Sequence, residues 1–209
     1  MRRDTRIGEE RTRIRRITYA AMFLGLAMVL PFLTGQIPQI GAALSPMHIP
    51  VLLCGFLCGW PWGLAVGAIA PLLRGAVFGV PALMPTGVAM SFELAVYGAV
   101  SGMLYRALPR KPASVYAALI VSMIAGRIVW GIARYVISGL QGTGFTFKAF
   151  LAGAVINAVP GIILHIALIP VLVMVMERAG LSLNHPRRTQ HGRETGPRSS
   201  GCKIPAKDV

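Results

Sequence analysis

Charge is what this sequence has little of. Charged residues make up 13% of its 209 positions, about half the share of an average soluble domain. Acids are scarcer still, seven against 21 lysines and arginines. With 55% hydrophobic residues and a mean hydropathy of +0.64, the chain lacks the polar surface a water-soluble fold needs, which points to an integral membrane protein. The net charge of +14 suggests nucleic acid at first sight, but its distribution argues otherwise. Arg2, Arg3, Arg6, Arg11, Arg13, Arg15 and Arg16 precede the first apolar run; Arg178, Arg187, Arg188, Arg193, Arg198, Lys203 and Lys207 follow the last. Basic flanks of this kind set membrane topology and meet anionic lipid, so no nucleic-acid partner is expected.

Cysteine is nearly absent, which excludes a disulfide framework. Cys54 and Cys58 lie one helical turn apart in an apolar run, as small packing residues do, and Cys202 is not at a prenylation position. No lysine follows a glycine, so there is no G-x-x-x-x-G-K-[ST] phosphate loop, and neither G-x-S-x-G nor H-E-x-x-H occurs. No Cys/His spacing reads as a zinc site, and a single acid within the apolar helices gives no carboxylate pair for hydrolysis. The chain is therefore expected not to be an enzyme and to need no metal or cofactor. The run 17–33 is too long for a typical signal-peptide core and lacks a small-x-small cleavage site.

What is present is organised around residues 45–74, SPMHIPVLLCGFLCGWPWGLAVGAIAPLLR. The run is apolar and interrupted at Gly59-Trp60-Pro61-Trp62-Gly63, an uncharged aromatic turn suited to a membrane interface. Glycine recurs at 55, 59, 63 and 67, a spacing that lets neighbouring backbones approach closely. This reads as two helices folded back on each other, with Ser45 and His48 at one far end and Arg74 at the other, both on one side of the membrane.

The rest of the chain completes an all-α membrane protein with six transmembrane helices. They are expected at 17–33, 48–59, 62–78, 86–108, 113–138 and 148–176. Pro160 and Pro170 should kink the last. Helix 2 is short for a span of about 20 residues, so it either begins below the outer surface or is met by a loop (34–44) that dips in. Residues 1–16 form a basic cytoplasmic segment, helical toward its end; 17–178 form the membrane domain; 179–209 form a polar, basic tail without the apolar content to order itself. Six helices put both termini on one side, and the positive-inside rule makes that side the cytoplasm.

Charges inside a bilayer need a reason. Glu93, Arg127 and Arg134 lie within helices, as does Arg74; Tyr97 is one turn beyond Glu93, Trp130 lies between the two helix-5 arginines, and Asn157 falls at a depth similar to Glu93. His48 begins helix 2 at the same outer side. Glu93 paired with one arginine could simply hold two helices together, and Arg134 could snorkel to the interface. Three arginines against one acid nevertheless suggest an anionic or hydrogen-bond-rich ligand met by planar guanidinium groups. His165 lies deep toward the cytoplasm and suits helix packing.

The segment 45–74, the FELAVYG of helix 4 and the small-xxx-small pair Ala21 and Gly25 on helix 1 resemble the substrate-binding S components of energy-coupling factor (ECF) vitamin transporters, over about residues 15–178. The resemblance implies six helices and a small vitamin or precursor bound near the outer face, with uptake driven by a separate transmembrane coupling protein and two cytoplasmic ATPases. It implies that Ala21 and Gly25 dock on the coupling protein, with glycine standing where a second alanine is usual. By position, it maps the ligand onto Glu93, Tyr97, Arg127, Trp130, Arg134 and Asn157. It also implies a bacterial plasma membrane location. A stand-alone secondary transporter or channel for a small polar solute is the alternative; it would be expected to show an inverted repeat or paired broken helices, and the chain shows neither.

Overall fold

The computed structural model describes residues 2–34, 45–109, 111–142, 146, 159–181 and 183. Among them are six α-helices and no strand: α1 (Arg2–Val29), α2 (His48–Cys58), α3 (Trp60–Phe78), α4 (Val88–Ala107), α5 (Pro112–Leu140) and α6 (Val159–Arg178). Five helical segments are long and apolar enough to cross a membrane: Glu10–Phe32, Trp60–Phe78, Leu83–Ala107, Pro112–Leu140 and Val159–Arg178. The protein is thus an all-α, multi-pass membrane protein. The expected loop 34–44 and the first part of helix 6, with Asn157, lie outside the described residues except for Thr34, as does nearly all of the tail.

One boundary differs from expectation. The basic segment is not separate from helix 1, because α1 runs unbroken from Arg2. Arginine and glutamate are good helix formers, so the membrane helix propagates backward through them.

The hairpin turns on a single residue. Gly59 has φ +99°, a conformation side chains rarely adopt; its N–H bonds to the Gly55 carbonyl and its own carbonyl accepts from Gly63 N–H. Helix α3 then begins at once, with Pro61 in its first turn, where a missing N–H is tolerated. Both arms pack backbone to backbone against α4. A Cβ at Gly55 or Gly63 would overlap the Gly98 carbonyl, one at Gly67 the Leu94 carbonyl, and one at Gly102 the Trp60 nitrogen.

Helix α2 has eleven residues, all buried. It spans about 16 Å, roughly half the hydrocarbon thickness, with α1, α3, α4 and α6 around it. Its far end is closed by the chain that follows α6. There Leu183 N–H caps the Leu57 carbonyl at 2.8 Å, and Arg16 of α1 donates to the Leu183 carbonyl at 2.9 Å. Beside them the Tyr105 hydroxyl donates to the Glu177 carboxylate.

Candidate functional site

At the opposite end of α2, side chains from α2, α4 and α5 converge on one carboxylate. Glu93 is 1% exposed. Its Oε1 accepts from the Tyr97 hydroxyl one turn along α4, at 2.8 Å. Arg127 Nη1 of α5 lies 3.1 Å from the same oxygen, and His48 Nε2 lies 3.7 Å from it. Coulomb attraction at such range is strong where water is excluded, which is how a carboxylate persists among apolar helices.

Local sequence explains each placement. Tyr97 follows Glu93 by four residues, so both share one face of α4. Gly126 lets the Tyr97 ring lie against α5, since a Cβ there would overlap that ring; this brings Arg127, the next residue, to the carboxylate. His48 opens α2 and is oriented by Nδ1 donating to the Ser45 carbonyl at 3.1 Å. Ser45 itself has φ +44°, the one non-glycine positive φ among the described residues. The His48 ring lies 5.4 Å from that of Tyr97, centroid to centroid.

His165 of α6 also reaches this cluster, its ring 5.8 Å from that of His48. The sequence alone placed it deep toward the cytoplasm, in a helix-packing role. Because α2 is only half a span long and starts inside the protein, its first residue lies beside His165, about two turns into α6. A gap between α2 and the expected span length was the available signal.

The other expected site residues are distributed as follows. Trp130 and Arg134 are half-buried on α5, at three and seven residues from Arg127 and so near one face. Arg134 Nη1 donates to Thr86 Oγ1 at 3.2 Å, linking α5 to the turn before α4. Arg74 is not brought to the cluster. It is turned toward α1, donating to the Met28 carbonyl at 2.7 Å, with the Phe32 and Phe78 rings 5.2 and 5.4 Å from its guanidinium carbon. On α1, Ala21 and Gly25 lie on the exposed face opposite the buried Ala20, Phe23 and Ala27. Among the described residues no group of three or more His, Cys, Asp or Glu side chains could hold a metal ion.

Among the described residues, the bundle thus brings charged and aromatic side chains together on one buried carboxylate between its helices. The model of the family described as ECF transporter, substrate-specific component, matches residues 15–173, and the chain belongs to that family. No curated protein and no solved structure matches it significantly. The family is one of transporters, which makes this chain a membrane component of substrate transport, and its part there is substrate binding.

Proposed function

We propose that this chain is the binding subunit of an ECF-type ABC importer in a bacterial plasma membrane, with both termini in the cytoplasm. It takes a small water-soluble vitamin or precursor, carrying an anionic or hydrogen-bond-rich group, from the outer face. Glu93, Tyr97, Arg127 and His48 form the centre of the site, with Trp130 and Arg134 toward its outer rim; Asn157, expected from the sequence at a depth similar to Glu93, belongs to the same binding set. Arg74 joins α3 to α1 and is left out of the binding set. Ala21 and Gly25 present a flat strip to a transmembrane coupling protein, through which two cytoplasmic ATPases drive uptake.

The observation that carries this reading is the convergence of three side chains, His48, Tyr97 and Arg127, from three helices on one buried oxygen of Glu93. Helix-to-helix attachment alone would need only one such pair. The test is purification of the full chain from its native membrane. Co-purification of a coupling protein with two ATPases, and a retained vitamin-sized solute by mass spectrometry, is expected. A chain that transports alone in proteoliposomes and brings down no such partners would be a secondary transporter instead.

A further inference from the structure

The two helices that bring a histidine to the Glu93 cluster are tied together again at their other ends. His48 opens α2, and the Leu57 carbonyl at its close accepts from Leu183 N–H at 2.8 Å. His165 lies beside His48 on α6. About 18 Å further along α6, Glu177 accepts from Tyr105 of α4. The helix then ends in a Schellman turn. Gly180 has φ +73°, its N–H bonds to the Glu177 carbonyl at 2.9 Å, and Leu181 N–H bonds to the Met176 carbonyl at 3.0 Å. Such a turn fixes the direction in which the chain leaves the helix, so Leu183 follows α6. Leu183 also carries a second bond, its carbonyl accepting from Arg16 of α1 at 2.9 Å. Capping α2 needs only the Leu183 N–H; the bond to Arg16 adds α1 to the junction. On α1, Ala21 is about 7.5 Å along the axis from Arg16. One residue thus joins both histidine helices to the helix that carries the docking strip. Among the described residues α6 packs mainly on α2 and α5, and the junction links it to α1.

We propose that the junction of Leu57, Leu183 and Arg16 couples the solute site to the docking face of α1. A solute that shifts α2 or α6 at the histidines moves the junction, and a partner that grips α1 at Ala21 and Gly25 acts back on the histidines. Coupling between two binding sites is reciprocal by thermodynamic necessity. The proposal rests on the binding-subunit reading above and gives that subunit a means of reporting occupancy. A simple cap on α2 would have only local effects.

The first measurement is hydrogen exchange by mass spectrometry on the full chain in nanodiscs, compared with Arg16→Met and with truncations after residues 180 and 184. Losing the junction should quicken exchange at residues 48–52, at the far end of α2, by about tenfold, as loss of one hydrogen bond would. Residues 63–67 and 94–98, in the α3–α4 contact, should exchange as before. Truncation after 184 keeps Leu183 and should match the unaltered chain. Faster exchange confined to 55–59 and 177–181 overturns the proposal, as does equal quickening everywhere, or none. The second measurement is capture of the coupling protein with its two ATPases, purified from the same membrane, as a double-mutant cycle. His165→Phe is remote from α1 and should change capture by about fivefold or more. In a chain that already carries Arg16→Met it should change capture by less than about twofold. His165→Asn serves should His165→Phe not fold. Capture that the His165 variants leave untouched overturns the proposal, and so do effects that add in full, since uncoupled distant sites are additive. Either result removes this inference and leaves the binding-subunit reading; no capture by the unaltered chain removes both.

Discussion

At the scale of single residues, the Glu93–Arg127 pair separates adhesion from binding. Breaking a buried ion pair by removing one partner costs about 3–5 kcal/mol, whereas removing both is often neutral. Glu93→Leu and Arg127→Met should therefore each destabilise the protein more than the double variant does. If the pair lines the site, the double variant should remain folded and lose ligand; retained affinity there would assign the pair to helix attachment. Melting temperature and retained-solute mass spectrometry on all three proteins decide it. Arg74 gives the contrasting case. Its bonds are to the Met28 carbonyl and two rings, so Arg74→Met should lower the melting temperature and leave solute binding within about twofold, a hydrogen bond to structure being worth only about 1–3 kcal/mol to the fold. Loss of binding would return Arg74 to the site. The charged members of the cluster were legible because ions stand out in apolar sequence. His165 was not, since its depth could be judged only once the starting level of α2 was known, and no residue pattern reports that level.

At the scale of elements, the four-residue glycine spacing announced close helix packing, and Gly55, Gly63 and Gly67 do meet α4 backbone to backbone. The partner helix could not be named from spacing alone, because Gly98 and Gly102 of α4 complete the contact from a separate stretch of chain. Gly126 was likewise invisible, because its close approach is to the ring of Tyr97 on another helix, which no local pattern on α5 announces. The segment after α6 left no trace in composition either. Its role rests on a main-chain bond from Leu183 to Leu57 and on Arg16, and backbone groups are the same in every sequence. Truncation after residue 184 should leave stability unchanged. Truncation after residue 180 uncaps the Leu57 carbonyl and strands Arg16, and should cost about 1–3 kcal/mol. Equal melting temperatures for the two truncations would show the strap to be dispensable.

At the scale of the whole molecule, the face of α1 that carries Ala21 and Gly25 is exposed among the described residues, where a Cβ at Gly25 would meet nothing within 4 Å. Bulk added there should not disturb the fold. Ala21→Trp and Gly25→Trp should abolish uptake by the assembled importer while solute binding to the isolated chain persists; loss of both together would make the strip internal packing. The eleven-residue α2, wholly surrounded by protein, bears on how the chain enters the bilayer during synthesis. It falls well short of the roughly 20 apolar residues by which a span is recognised, and in the finished fold it has no lipid to face. We expect it to be carried in as the passenger arm of α3, through the Gly59 turn. In a translocon insertion assay, residues 45–59 alone should fail to integrate, and residues 45–79 should integrate as one unit. Stable integration of the short segment would mean that α2 is threaded independently, and that the bundle closes around a helix already in the membrane.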